Sequence, residues 1–139
     1  MNRINFLIYF ITIVFSLESF ALELNPYGKH FSGQGLEIEV ALVKDKNKDG
    51  LNDALIKMTG APAYDAQIDG KVFLHQAVHA GTGVNFKTSD GKVRMATRKA
   101  WGEWDFFEVY LNNKTFKVYP DDKKSKEIQV NELLKNLNK

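Results

Sequence analysis

Nine residues carry most of the chemistry this sequence can offer. They run Asp45-Lys46-Asn47-Lys48-Asp49-Gly50-Leu51-Asn52-Asp53. Counted from Asp45, oxygen-bearing side chains fall at positions 1, 3, 5 and 9, and glycine stands at 6. Calcium takes six to eight oxygens at about 2.3–2.6 Å, and alternate residues of a tightly curled loop can aim them at one point. Gly50 permits the reversal that would bring the Leu51 carbonyl to the ion. The spacing predicts a structural calcium site built from Asp45, Asn47, Asp49, Leu51 and Asp53. It is not a complete EF-hand loop, because position 12 is Ile56 in place of a bidentate Glu, and position 8 is Asn52. Magnesium fits less well, since it demands stricter octahedral geometry and keeps its waters. The competing explanation is a polar hairpin loop, because Asp, Asn and Gly are also the common turn residues.

The loop resembles the strand–loop–strand calcium sites of FG-GAP repeats, with the pattern D-x-[DN]-x-D-G-x-x-D. It is also similar to the Asp-Gly-Leu-x-Asp loops of thrombospondin type 3 repeats. The resemblance implies Asp45, Asn47, Asp49 and Asp53 as side-chain ligands and Leu51 as a backbone ligand. It covers nine residues, and the unit occurs once, so those folds do not carry over.

Other constellations are thinner. His75 and His79 lie four apart on a strand pattern, about 13 Å along the chain, too far to share one zinc ion. Alternation sets both beside Phe73 and Ala77, opposite Val72, Leu74 and Val78, as solvated or surface-packed side chains. Glu37 and Glu39 share a strand face, where two carboxylates could act as acid and base, but a wet face produces the same pattern. Trp101, Trp104, Phe106 and Tyr110, with Arg94 and Arg98 nearby, form a candidate binding surface for protein, sugar or an anion, although a two-sided core accounts for them better. No serine sits in a nucleophile elbow, and no catalytic residue is assigned.

These residues need strands to hold them. Leu36, Ile38, Val40 and Leu42 alternate with Glu37, Glu39 and Ala41, the period of a half-buried strand. Further strands are expected over 54–59, 72–79, 84–88, 93–98, 106–111 and 115–119. Asp90-Gly91 marks a hairpin with positive φ at both central residues, and Asn112-Asn113-Lys114 marks another. Val130, Leu133, Leu134 and Leu137 form one apolar helical stripe, with Ser125 as its N-cap and Glu127 in its first turn. The fold class is mainly β: a compact antiparallel sheet or small sandwich of about seven strands with one C-terminal amphipathic helix.

Ahead of the strands, Arg3, the apolar run Phe6–Leu17 and Ser19-Phe20-Ala21 read as a signal peptide, residues 1–21. The run rises about 18 Å as a helix, short of the roughly 30 Å of a bilayer core. Residues 22–34 are expected as an extended lead-in and 35–139 as one β-rich domain. The 139 residues carry 19 Lys+Arg against 17 Asp+Glu, a net charge of +2. That balance argues against nucleic acid as a partner. The absence of cysteine excludes disulfides, thiolate metal sites and a lipoprotein anchor. After signal removal no membrane-spanning stretch is left. The expected function is an exported, periplasmic or secreted, non-enzymatic binding module with a protein or glycan partner. The alternatives are a periplasmic inhibitor or adhesion factor using the aromatic and basic surface, and a small hydrolase.

Overall fold

The computed structural model describes residues 22–60, 65–100 and 103–137, with backbone alone for 98–100 and 103–105. The signal segment and Trp101 lie outside the described residues. Eight strands run in order: β1 (Lys29–Gly33), β2 (Leu36–Lys46), β3 (Asn52–Thr59), β4 (Val72–Ala80), β5 (Gly83–Lys87), β6 (Val93–Ala100), β7 (Glu103–Leu111) and β8 (Lys114–Pro120). Each pairs antiparallel with the next, and β1 pairs with β8, so the sheet closes into a barrel. This corrects the expectation of seven strands in an open sheet or sandwich. The additional strand is β1, inside the expected lead-in. Its sequence Lys-His-Phe-Ser-Gly has one large apolar residue, too few to display a period.

The turns follow from their residues. Gln34 and Gly35 have φ of 50° and 81°, and Asn112 and Asn113 have 49° and 62°. Both pairs form two-residue connections that match the twist of their strands. The Asp90-Gly91 turn differs from expectation: only Gly91 takes a positive φ, 82°. The Asp90 carboxylate instead accepts from Thr88 Oγ1 (2.6 Å) and the Lys92 amide (2.9 Å), which holds a wider turn.

The barrel is filled. Phe31, Ile38, Val40, Ile56, Met58, Phe86, Met95, Phe107, Val109 and Val118 are buried in one cluster. Phe31 meets Phe107 edge to face at 4.4 Å between ring centroids, a favoured aromatic geometry. A second cluster lies outside the barrel wall, where Ala41, Leu55 and Val72 are covered by Val130 and Leu133. The covering segment is not one helix but two short ones, α1 (Asp122–Ser125) and α2 (Val130–Lys135). Asp121 caps α1 by accepting from the Lys124 amide, so the expected cap Ser125 ends that helix instead of beginning one. Ser125 Oγ accepts from the His30 amide (2.8 Å) and donates to the Asp121 carbonyl, tying α1 to β1.

This outer cover also corrects the faces of β4. Val72 is buried outside the wall, whereas Leu74, expected in the core, is 40% exposed. Phe73, His75 and Ala77 face the barrel interior, and His75, expected at the surface, is buried. His79 is exposed.

Candidate functional site

β4 serves two neighbours with its two halves. Val72–His75 pair with β3, and Gln76–Ala80 pair with β5. Each half therefore leaves one of its edges without a ladder, and each gap is filled differently.

At the first gap stands the Asp45–Asp53 loop. Beyond His75 the Ala77 amide donates to Asp53 Oδ1 (2.9 Å), and Asn47 Nδ2 donates to the Ala77 carbonyl (2.9 Å) and to Asp53 Oδ1 (2.8 Å). Two side chains thus replace the missing backbone bonds between β3 and β4, as buried peptide groups require. Asn47 Oδ1 accepts from the amides of Asp49 and Leu51, and the Leu51 carbonyl accepts from the Asn47 amide. His79 Nε2 lies 3.1 Å from the Asp49 carbonyl. The arrangement brings Asn47, Leu51 and Asp53 together through hydrogen bonds; Asp45 and Asp49 are exposed. Among the described residues no three His, Asp or Glu side chains converge on a point that could hold a metal ion.

At the second gap, beside Val72–His75, the barrel mouth opens into a cleft of about 510 Å³ between the β3–β4 connection and the β5–β6 turn. Its apolar residues are Ile56, Met58, Ile68 and Phe73, of which Ile56 and Met58 belong to the buried core and Phe73 is half-buried. Its polar groups are Gln67, Lys71, His75, Thr88, Ser89, Asp90 and Arg94. The volume falls in the range of small-molecule sites, and the lining is mixed, polar residues outnumbering apolar ones.

Arg94 reaches the cleft through a bulge. Lys87 stands opposite Val93 and Phe86 opposite Met95, so Arg94 is the extra residue of β6. A bulge of this kind re-aims a side chain. The Arg94 side chain is only 17% exposed, and one Nη lies 3.5 Å from the Asp90 carboxylate. Its Nε is buried and finds no hydrogen-bond partner among the described residues. Next to it, burial pushes the His75 pKa down to about 4, and the Arg94 charge adds to the effect. His75 Nδ1 lies 3.0 Å from the Phe73 carbonyl, so the neutral ring donates there and presents Nε2 as an acceptor. The Asp90 carboxyl is held low by the Thr88 hydroxyl, the Lys92 amide and Arg94.

The expected aromatic surface is divided. Phe106 and Tyr110 alternate with the buried Phe107, Val109 and Leu111 and are half-buried. Phe106 lies 5.9 Å from the ring of Tyr119, with Lys117 Nζ 5.3 Å above it. Arg94 lines the mouth cleft with Phe73 and His75 instead of joining these rings. The side chains of Arg98 and Trp104 lie outside the described residues. Glu37 and Glu39 are ion-paired with Lys124 and Lys57 respectively, and Lys124 holds the Glu37 carboxyl below its ordinary pKa.

Sequence alternation missed the cleft because Met95, Ala96 and Thr97 are all buried, and no periodicity marks Arg94 as inward. The one local signal was the Asp90–Arg94 pair straddling a tight turn. No family model, no curated protein and no solved structure matches the chain.

Proposed function

We propose that the protein is an exported, non-enzymatic binding module that takes a small ligand into the cleft at the barrel mouth. One observation carries this: the barrel mouth holds a half-open cleft of about 510 Å³, with the mostly buried guanidinium of Arg94 in its wall. The N-terminal segment supports export. A mixture of small apolar-bodied fragments, titrated while backbone amide shifts are followed by NMR, tests the site. Shifts are expected to concentrate at Ile56, Ile68, Phe73 and Arg94. Shifts confined to the outer wall around Phe106 and Tyr119 would favour the second reading, an inhibitor or adhesion factor that meets protein or glycan there. Tyr119 is 53% exposed, which supports that alternative.

Calcium at the Asp45–Asp53 loop is a separate proposal. Asn47→Asp distinguishes a ligand from a clasp. It removes the donor that Asn47 gives to Asp53 and Ala77 and sets a negative charge against Asp53. In chelator the variant should lose about 1–3 kcal/mol in urea denaturation. If the loop binds calcium, the added carboxylate strengthens the site, and millimolar calcium restores the loss. Identical curves with and without calcium, in wild type and variant, would leave the loop as a clasp.

A further inference from the structure

We infer that the mouth cleft selects a small amphiphile with an anionic oxygen head, held by Arg94, and a short apolar body lying against Ile68 and Phe73. The inference rests on the cleft being the binding site and adds the chemistry of what enters it.

The argument starts from the cost of placing Arg94 where it is. A guanidinium keeps its charge at any ordinary pH and offers five donors in a fixed fork. Desolvating such a group is unfavourable unless its donors are satisfied. The bulge in β6 nevertheless turns Arg94 inward, to 17% exposure, and leaves its Nε without a partner among the described residues. Asp90 compensates poorly. It stands 3.5 Å away, is half-exposed, and already accepts from Thr88 and Lys92. An ion pair with one exposed member contributes little. A planar carboxylate, or a sulfate or phosphate, would engage the guanidinium with two parallel bonds and displace Asp90 from it.

The neighbours refine the choice. Lys71 adds positive charge at the rim and is exposed. His75 offers an acceptor with no charge, so it gives an anion no competing anchor and leaves the head to Arg94. Gln67, Thr88 and Ser89 add neutral polar groups, and Ile68 and Phe73 give the wall its apolar part. A cationic ligand would meet the guanidinium and Lys71 unfavourably.

Calorimetric titration of the exported protein with octanoate, 1-octanol and octylamine at one ionic strength tests this. Octanoate should bind about tenfold tighter than 1-octanol, equivalent to about 1.4 kcal/mol, and octylamine most weakly. Arg94→Gln should bring octanoate down to the affinity of 1-octanol. Asp90→Asn, a change on an exposed turn, should tighten octanoate roughly twofold or more by freeing the guanidinium. If octanoate and 1-octanol bind wild type equally, the head-group assignment falls while the cleft stands. If neither binds and the fragment mixture shifts no cleft amide, both fall. Unchanged octanoate affinity in a folded Arg94→Gln protein overturns the inference. Should that variant fail to fold, weaker or unchanged binding by Asp90→Asn overturns it.

Discussion

A histidine inside a barrel must give up either its charge or its hydrogen bonds. His75 keeps the bond to the Phe73 carbonyl and gives up the charge, with its pKa lowered from 6.5 to about 4 by burial. The sign of the consequence follows from proton uptake. Below pH 6.5 the unfolded chain takes up a proton that the folded protein refuses until about pH 4. Stability is therefore fully present above 6.5 and declines as pH falls through that window, by about 3 kcal/mol in all. His75→Asn should lack this acid-side loss, as read from urea denaturation between pH 4 and 8. A variant with the same slope as wild type would place the titration elsewhere. The burial of His75 was not legible in the sequence, because period-two alternation gives two faces without saying which is inside.

At the scale of the element, β4 explains most of what alternation misread. A strand with one wet face declares its core by its apolar residues. In β4 the outer face is partly roofed by α2, so Val72 is buried outside the barrel and Leu74, two residues on, is exposed. Leu133→Ala opens that roof and should cost about 2–4 kcal/mol in chemical denaturation, while Leu74→Ala should cost well under about 1 kcal/mol. Equal effects would mean that the roof does not pack on the wall. By contrast, β2, β7 and β8 were readable: Leu36, Ile38 and Val40, then Phe107 and Val109, then Phe116 and Val118 are all buried as their spacing predicts. The apolar stripe of the C-terminal segment was also readable, but not its division into two helices. Asp121 outcompetes Ser125 as a cap, and Ser125 is drawn to the His30 amide, a partner distant in sequence.

For the whole molecule, the hairpin order was visible locally and closure was not. Closure depends on β1 meeting β8 through two residue pairs, Phe31 with Pro120 and Ser32 with Tyr119. Side chains and helix α1 help: the Lys117 amide donates to Gln34 Oε1 (2.6 Å), and the Asp121 amide to the His30 carbonyl (2.8 Å). Gly33 belongs to this seam. A Cβ built on it would stand 2.4 Å from the Lys117 carbonyl oxygen, on backbone that cannot swing aside. Gly33→Ala should therefore destabilise the protein by about 1–3 kcal/mol, measured by thermal melting, with the loss centred on β1 and β8 amides in hydrogen exchange. A neutral substitution would show a looser seam than this.

Seven of the eight strand pairings join sequence neighbours, and only the β1–β8 pairing spans the barrel sequence. Local hairpins form early because they close short loops; the long closure is entropically last. Until then the growing sheet has two bare edges, β1 and β8, each with unpaired backbone groups able to recruit another chain. The short β1, with its charged Lys29 and its glycine, makes a poor template for such pairing. Helix α1, anchored on β1 through Ser125, stands ready to hold that strand as the gap shuts. The feature that looks weakest in the finished barrel is thus what protects the chain while it is still an open ribbon.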